Sequence, residues 1–164
     1  MRRAAITAAA VACMLSCARS DRRTGEDLRG PAERYLSAVY GCRSELVDSL
    51  VSDSVVVSYP GFEAMLGTSA LRGREAVRRF AERFCGRWTN RELTVHEAVQ
   101  DGRRVVLVWQ FRAVPTFVDS VAGSGSAAPQ GWGGITFFRF DEEGEVVEEI
   151  GEESTPGPMA RISR

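Results

Sequence analysis

ERYLSAVYGCRSELVDSLVSDSVVVSYPG (Glu33–Gly61) reads as a helix, a second short helix and a strand that ends on a proline. Ala32, Tyr35, Leu36 and Val39 recur at helical spacing and form one apolar stripe, which Gly41 ends. Pro31 suits the first turn, where its missing N–H would be unpaired anyway. Leu46, Val47, Leu50 and Val51 repeat the pattern in a shorter segment. Val55, Val57 and Tyr59 then alternate with Ser54, Val56 and Ser58, the period of a strand. Pro60-Gly61 stops that strand and turns the chain.

Working outward, Phe62 to Leu66 is expected to return as a short partner strand. LRGREAVRRF (Leu71–Phe80) opens a third helix at Gly73, with Glu75 near its positive end and Ala76, Val77, Phe80, Ala81 and Phe84 on its buried face. Leu93 to Val99 and Arg104 to Ala113 are strands joined at Asp101-Gly102, a hairpin signal. Val106 and Val108 make the second of them apolar on both sides, so both sides are expected to be covered. Thr116 to Gln130 contains GSGSAAP and reads as a long loop, either a lid or a plain connection. Trp132 to Phe140 and Glu145 to Glu153 are the last strands. Helices early and long strands late give an α+β layout.

The chain has 164 residues, a formal net charge of −1, and 44% hydrophobic and 26% charged residues, ordinary values for one globular domain. That balance argues against nucleic acid as a partner. The N-terminus reads as an export signal over 1–16: Arg2 and Arg3, an apolar run from Ala4 to Leu15 too short to span a bilayer, then Ser16-Cys17. This resembles a bacterial lipoprotein cleavage site, with Cys17 carrying the lipid; plain secretion is the alternative. Residues 17–30 are polar and aperiodic, a disordered tether, and 156–164 reads as a flexible tail. The expected location is the cell envelope, with membrane contact only through the lipid.

Cys42 and Cys85 remain in the folded part, each at the end of a helix. An oxidising compartment permits a disulfide between them; two inert thiols are the alternative. No metal site is expected, with one histidine, His96, and no close cysteine pair.

The order of ERYLSAVYG (Glu33–Gly41), VSYPG (Val57–Gly61), LRGREAVRRF and FFRFDEEGEVVEE (Phe137–Glu149) resembles the SnoaL-like and ketosteroid isomerase superfamily, the nuclear transport factor 2-like fold. The resemblance covers 31–155. It implies a cone-shaped, curved antiparallel sheet of about six strands, three helices on its concave face, and one apolar pocket. It also implies pairing of two copies through the convex face, and no cofactor. In ketosteroid isomerases a tyrosine and a protonated aspartic acid hold the enolate oxygen while a second aspartate moves the proton. Aligned on the Arg34-Tyr35 pair, Tyr35 falls on the oxyanion tyrosine and Tyr59 on the proton-moving aspartate. Aligned on the last hairpin, Thr136 falls on the protonated aspartic acid.

A tyrosine with an ordinary pKa of about 10 is a poor base at neutral pH, and a threonine is a weaker donor than a carboxylic acid. The expected site is therefore a neutral, hydrogen-bonding pocket for a small apolar molecule, walled by Trp109, Phe111, Trp132, Phe138 and Phe140, without the isomerase's catalytic set. The alternative is a cyclase, isomerase or dehydratase using Tyr35 with His96 or a late-strand acid. Glu148, Glu149 and Glu152 are the candidates, and Glu148 and Glu149 cannot both face inward, because a strand sends neighbours to opposite sides. A third reading is a non-catalytic interaction module.

Overall fold

The computed structural model describes residues 25–116 and 128–162. The signal, Cys17, most of the tether and the centre of the Gly/Ser-rich loop lie outside them.

Helix α1 (Arg29–Tyr40) starts two residues before Pro31 and buries the expected stripe of Ala32, Tyr35, Leu36 and Val39. Gly41 closes it, its N–H donating to the Ser37 carbonyl at 2.9 Å. A Cβ there would stand 2.5 Å from that same oxygen, so no larger residue fits without movement. Ser44–Ser49 forms a 3-10 turn around Val47, and β1 (Val51–Ser58) follows. Beyond Pro60-Gly61 the chain makes a short helix, α2 (Phe62–Leu66), where a strand was expected. Phe62, Met65 and Leu66 have the i, i+3, i+4 spacing that places them together on one helical face. The strand that pairs with β1 is instead β2 (Leu71–Arg72). Helix α3 (Arg74–Cys85) opens at Gly73, whose φ of +85° suits glycine and whose N–H donates to Val55 O.

Four long strands complete the chain: β3 (Trp88–Asp101), β4 (Arg104–Pro115), β5 (Gln130–Phe140) and β6 (Val146–Ser154). They form one curved open sheet with β1 and β2, in the order β2-β1-β6-β5-β4-β3. Register shifts in the β3–β4, β5–β6 and β1–β6 pairs mark bulges, which bend strands and steepen their twist. The pairing is antiparallel except at β1–β6, which is parallel. The sheet is thus mixed, where an antiparallel one was expected. The segment after Thr155, read as a tail, contains helix α4 (Pro158–Ile162), packed against β4 and β5.

The core lies between α1, α3 and one face of the sheet. Val105, Leu107, Trp109, Phe111 and Ala113 of β4 all point into it and are buried. The other face is more open than the sequence suggests. Val106 and Val108 are only half-buried, and Val99, Ile135 and Ile150 are exposed there. Cys42 and Cys85 are joined by a disulfide that ties the end of α1 to the end of α3.

Candidate functional site

A cavity of about 370 Å³ opens between the helices and the sheet. Helix α1 gives it Tyr35, Val39 and Tyr40; β1 and the turn after it give Val57 and Tyr59. Helix α2 supplies Phe62, Met65 and Leu66, and α3 supplies Val77, Phe80, Arg83 and Phe84. The far wall carries Trp88, Trp132, Glu149 and Glu153. Most of this lining is apolar, so the few polar groups decide what the cavity can do.

Glu149 is the centre of them. It is 4% exposed, and burial is the largest influence on its carboxyl group. The Tyr35 hydroxyl donates to Oε2 at 2.7 Å and the Tyr59 hydroxyl to Oε1 at 2.6 Å. Those two bonds favour the ionised form and pull the pKa down, whereas neighbouring Glu153 pushes it up; burial prevails and raises it to about 7. The tyrosines move further into the protonated range, driven first by burial and then by the Glu149 charge. They remain donors at any ordinary pH.

A short relay stands behind Tyr59. Trp109 Nε1–H donates to Thr136 Oγ1 at 2.8 Å, and Thr136 Oγ1 lies 3.2 Å from the Tyr59 oxygen. With Glu149 ionised, the single Tyr59 proton is committed to the carboxylate, so Thr136 donates to Tyr59. The chain of donors therefore runs Trp109, Thr136, Tyr59, Glu149. A second acid–phenol pair lies beside it: the Tyr40 hydroxyl donates to Glu153 Oε1. Glu153 is exposed as a residue, yet desolvation of its carboxyl group raises its pKa, partly offset by Tyr40.

Strand parity explains the arrangement. Glu149, Gly151 and Glu153 occupy the inner face of β6, while Glu148, Ile150 and Glu152 occupy the outer. Gly151 supplies the missing volume into which the Tyr59 ring fits. A Cβ there would sit 2.0 Å from Tyr59 Cε1. Gly151→Ala is therefore expected to push the ring off Glu149 and cost about 1–3 kcal/mol, as overpacked cores do. Urea unfolding reads the loss; a variant as stable as the parent would contradict it.

The residues named from sequence divide accordingly. Tyr35 and Tyr59 converge in the cavity, with Thr136 one bond behind Tyr59. Glu148 points away and pairs with Arg139 at 2.5 Å; its neighbour Glu149 takes the inner place. His96 is exposed on the edge strand β3 and lies outside the cavity lining. Of the five aromatic residues expected to wall the pocket, Trp132 does so, whereas Trp109, Phe111, Phe138 and Phe140 are buried in the core beneath it. Tyr40, Glu153 and Gly151 were missed. Gly151 was the available signal, since a glycine inside a strand marks a close approach.

The model of the SnoaL-like domain matches residues 32–149. The chain belongs to the SnoaL-like domain family. Among solved structures, this SnoaL-like chain is similar to IdmH, a putative polyketide cyclase from Streptomyces antibioticus, with 15% identity, a TM-score of 0.67, and 85% of this chain and 100% of that chain covered. A putative SnoaL-like polyketide cyclase from Shewanella denitrificans OS-217 gives 12% identity and a TM-score of 0.64, covering 83% and 96%. An LEH-like epoxide hydrolase from M. tuberculosis gives 17% identity and a TM-score of 0.59, covering 78% and 83%. At these identities the likeness is one of fold. A comparison with curated protein sequences finds no match.

Proposed function

We propose that this SnoaL-like domain is a cofactor-free acid–base catalyst of the isomerase, cyclase or dehydratase type, acting on a small apolar carbonyl compound. One observation carries the reading: a buried carboxyl group in the cavity wall, gripped by two tyrosines and poised near pH 7. A base tuned close to the working pH is the most effective proton carrier. This departs from the expectation of a binding-only pocket. That expectation rested on Tyr59 standing where the isomerase has its base, and Glu149 fills the role from β6 instead.

In the proposed step, Glu149 removes a proton from the carbon beside the substrate carbonyl. Once protonated, it no longer needs both phenols. The released Tyr35 hydroxyl then donates to the enolate oxygen, and Thr136 and Trp109 keep Tyr59 in place. Glu149 returns the proton at another carbon, or the enolate carbon bonds to a second carbonyl of the same molecule, whose C=O π bond opens and whose oxygen takes the proton back from Glu149. The apolar walls keep water from competing.

The test is hydrogen–deuterium exchange beside the carbonyl in a panel of hydrophobic ketones, followed by NMR in heavy water. Catalysed exchange whose rate climbs through a midpoint near pH 7 is expected, because only the ionised carboxylate accepts a proton. Ketones that bind in the cavity and never exchange would remove the proposal.

The setting we propose is the cell envelope. The Cys42–Cys85 disulfide belongs to an oxidising compartment and agrees with the export reading of 1–16 and lipidation at Cys17. The exposed Val99, Ile135 and Ile150 on the outer sheet face support self-pairing there, which sedimentation would test.

A further inference from the structure

The arginines on and just after α3 fall into two groups. Arg74 reaches Asp53 and Glu145, Arg78 reaches Glu75 and Glu82, and Arg79 reaches Glu75. Arg83 and Arg87 differ in two respects. Both line the cavity, and neither has an acidic partner among the described residues. Arg87 only touches the Met65 sulfur, at 3.8 Å. Both are exposed, whereas Glu149 is buried, so the guanidinium groups stand nearer solvent than that carboxyl group. Placement near the end of α3 suits Arg83 through the helix dipole, but that does not account for its place on the cavity wall, nor for Arg87 beyond the helix.

Trp88 also belongs to this end of the lining. It lines the same cavity next to Arg87, and its indole Nε1–H is enclosed with no acceptor. Enclosed donors are nearly always satisfied in folded proteins. Two guanidinium groups thus line the cavity with no oxygen acceptor among the described residues, Arg87 touching only the Met65 sulfur. Apart from the tyrosines and Glu153, the rest of the lining is apolar.

We infer that the substrate is an amphipathic acid: an apolar body carrying a carboxylate that Arg83 and Arg87 receive at the mouth, with its reacting carbonyl turned inward. This rests on the proposed reading of the cavity as a substrate site. A guanidinium is suited to this role because its planar fork matches a carboxylate. A neutral ligand of the same length would offer Arg83 and Arg87 no opposite charge.

The probe is decanoic acid against decanamide, with binding to the full chain followed by tryptophan fluorescence at about pH 8, where the acid is ionised. The acid is expected to bind about tenfold more tightly than the amide, and added salt to narrow the gap. Arg83→Gln with Arg87→Gln should remove the preference for the acid over the amide. Arg79→Gln, an exposed change on the same helix, should leave both affinities as they were. Equal affinity for acid and amide, no binding of the acid, or a preference that survives the double substitution would overturn the inference. Glu149→Gln separates the two readings: it should abolish exchange yet keep the acid preference. A parent that catalyses exchange but shows no acid preference would end this inference alone.

Discussion

Glu149→Gln is expected to cut proton-transfer turnover by about 10²–10⁴-fold while leaving the protein more resistant to urea at about pH 8 than its parent. The two effects come from one cause. Burial raises the folded-state pKa of Glu149 from 4.5 to about 7. A raised carboxyl pKa means that the folded chain holds this proton more tightly than the unfolded chain does. Folding is therefore most favoured below the unfolded value and weakens as pH climbs, until the group is ionised in both states above about 7. The full loss is about 3 kcal/mol. Glutamine keeps the shape and one acceptor for the tyrosines but carries no charge. Its stability should change little between about pH 5 and about pH 8, apart from a residual slope from Glu153, whose shift has the same direction. Denaturation midpoints of both proteins at the two pH values read the difference. A parent whose stability rises over that interval would contradict the assignment, as would a variant that keeps its turnover.

The second large effect concerns the disulfide. Cys42 and Cys85 lie 43 positions apart, and closing a loop of that length stabilises by about 4 kcal/mol on the chain-entropy view. Against the usual 5–15 kcal/mol, roughly, of a domain's total, that is a large share. Cys42 also adopts φ of +61°, a left-handed conformation that a side chain other than glycine resists. Cys42→Ser with Cys85→Ser keeps that strain and loses the bridge. A fall in Tm of at least about 10 °C is expected by calorimetry, and a similar fall for the parent under reductant. An unchanged Tm on reduction would show that the native contacts hold α1 to α3 without the bond. Because Tyr35 and Tyr40 ride on α1, loosened docking should also weaken ligand binding before the molecule unfolds.

Most helices and strands were legible because their signals are local. The stripe of α1, the amphipathic face of α3 and the alternation in β4 each follow from a few neighbouring residues. Phe62 to Leu66 is too short for a period to declare itself, and it formed a helix. The parallel meeting of β1 and β6 depends on closure of the whole sheet, which no window of sequence contains. The same applies to the site. Tyr35 and Tyr59 could be placed by analogy, but choosing between Glu148 and Glu149 required the parity of β6. A register shift beside Arg139 disturbs counting from the hairpin. Gly151 would have settled it, because the face that needs a glycine to admit Tyr59 is the face that carries Glu149. The aromatic rows of β4 and β5 misled for a different reason: their side chains fill the space beneath α1, one layer below the cavity.

The adjacency of β1 and β6 also bears on how the molecule is made. Tyr35 and Glu149 are 114 positions apart, and Tyr59 and Glu149 are 90 apart. Contacts of such span form late and slowly, since the chain loses the freedom of a long loop before any contact compensates. A nascent chain on the ribosome therefore holds both phenols long before it holds the acid between them. The proposed chemistry would begin only when the last strand arrives, and a product cut short before Glu149 would lack the proposed base however well its earlier parts had formed.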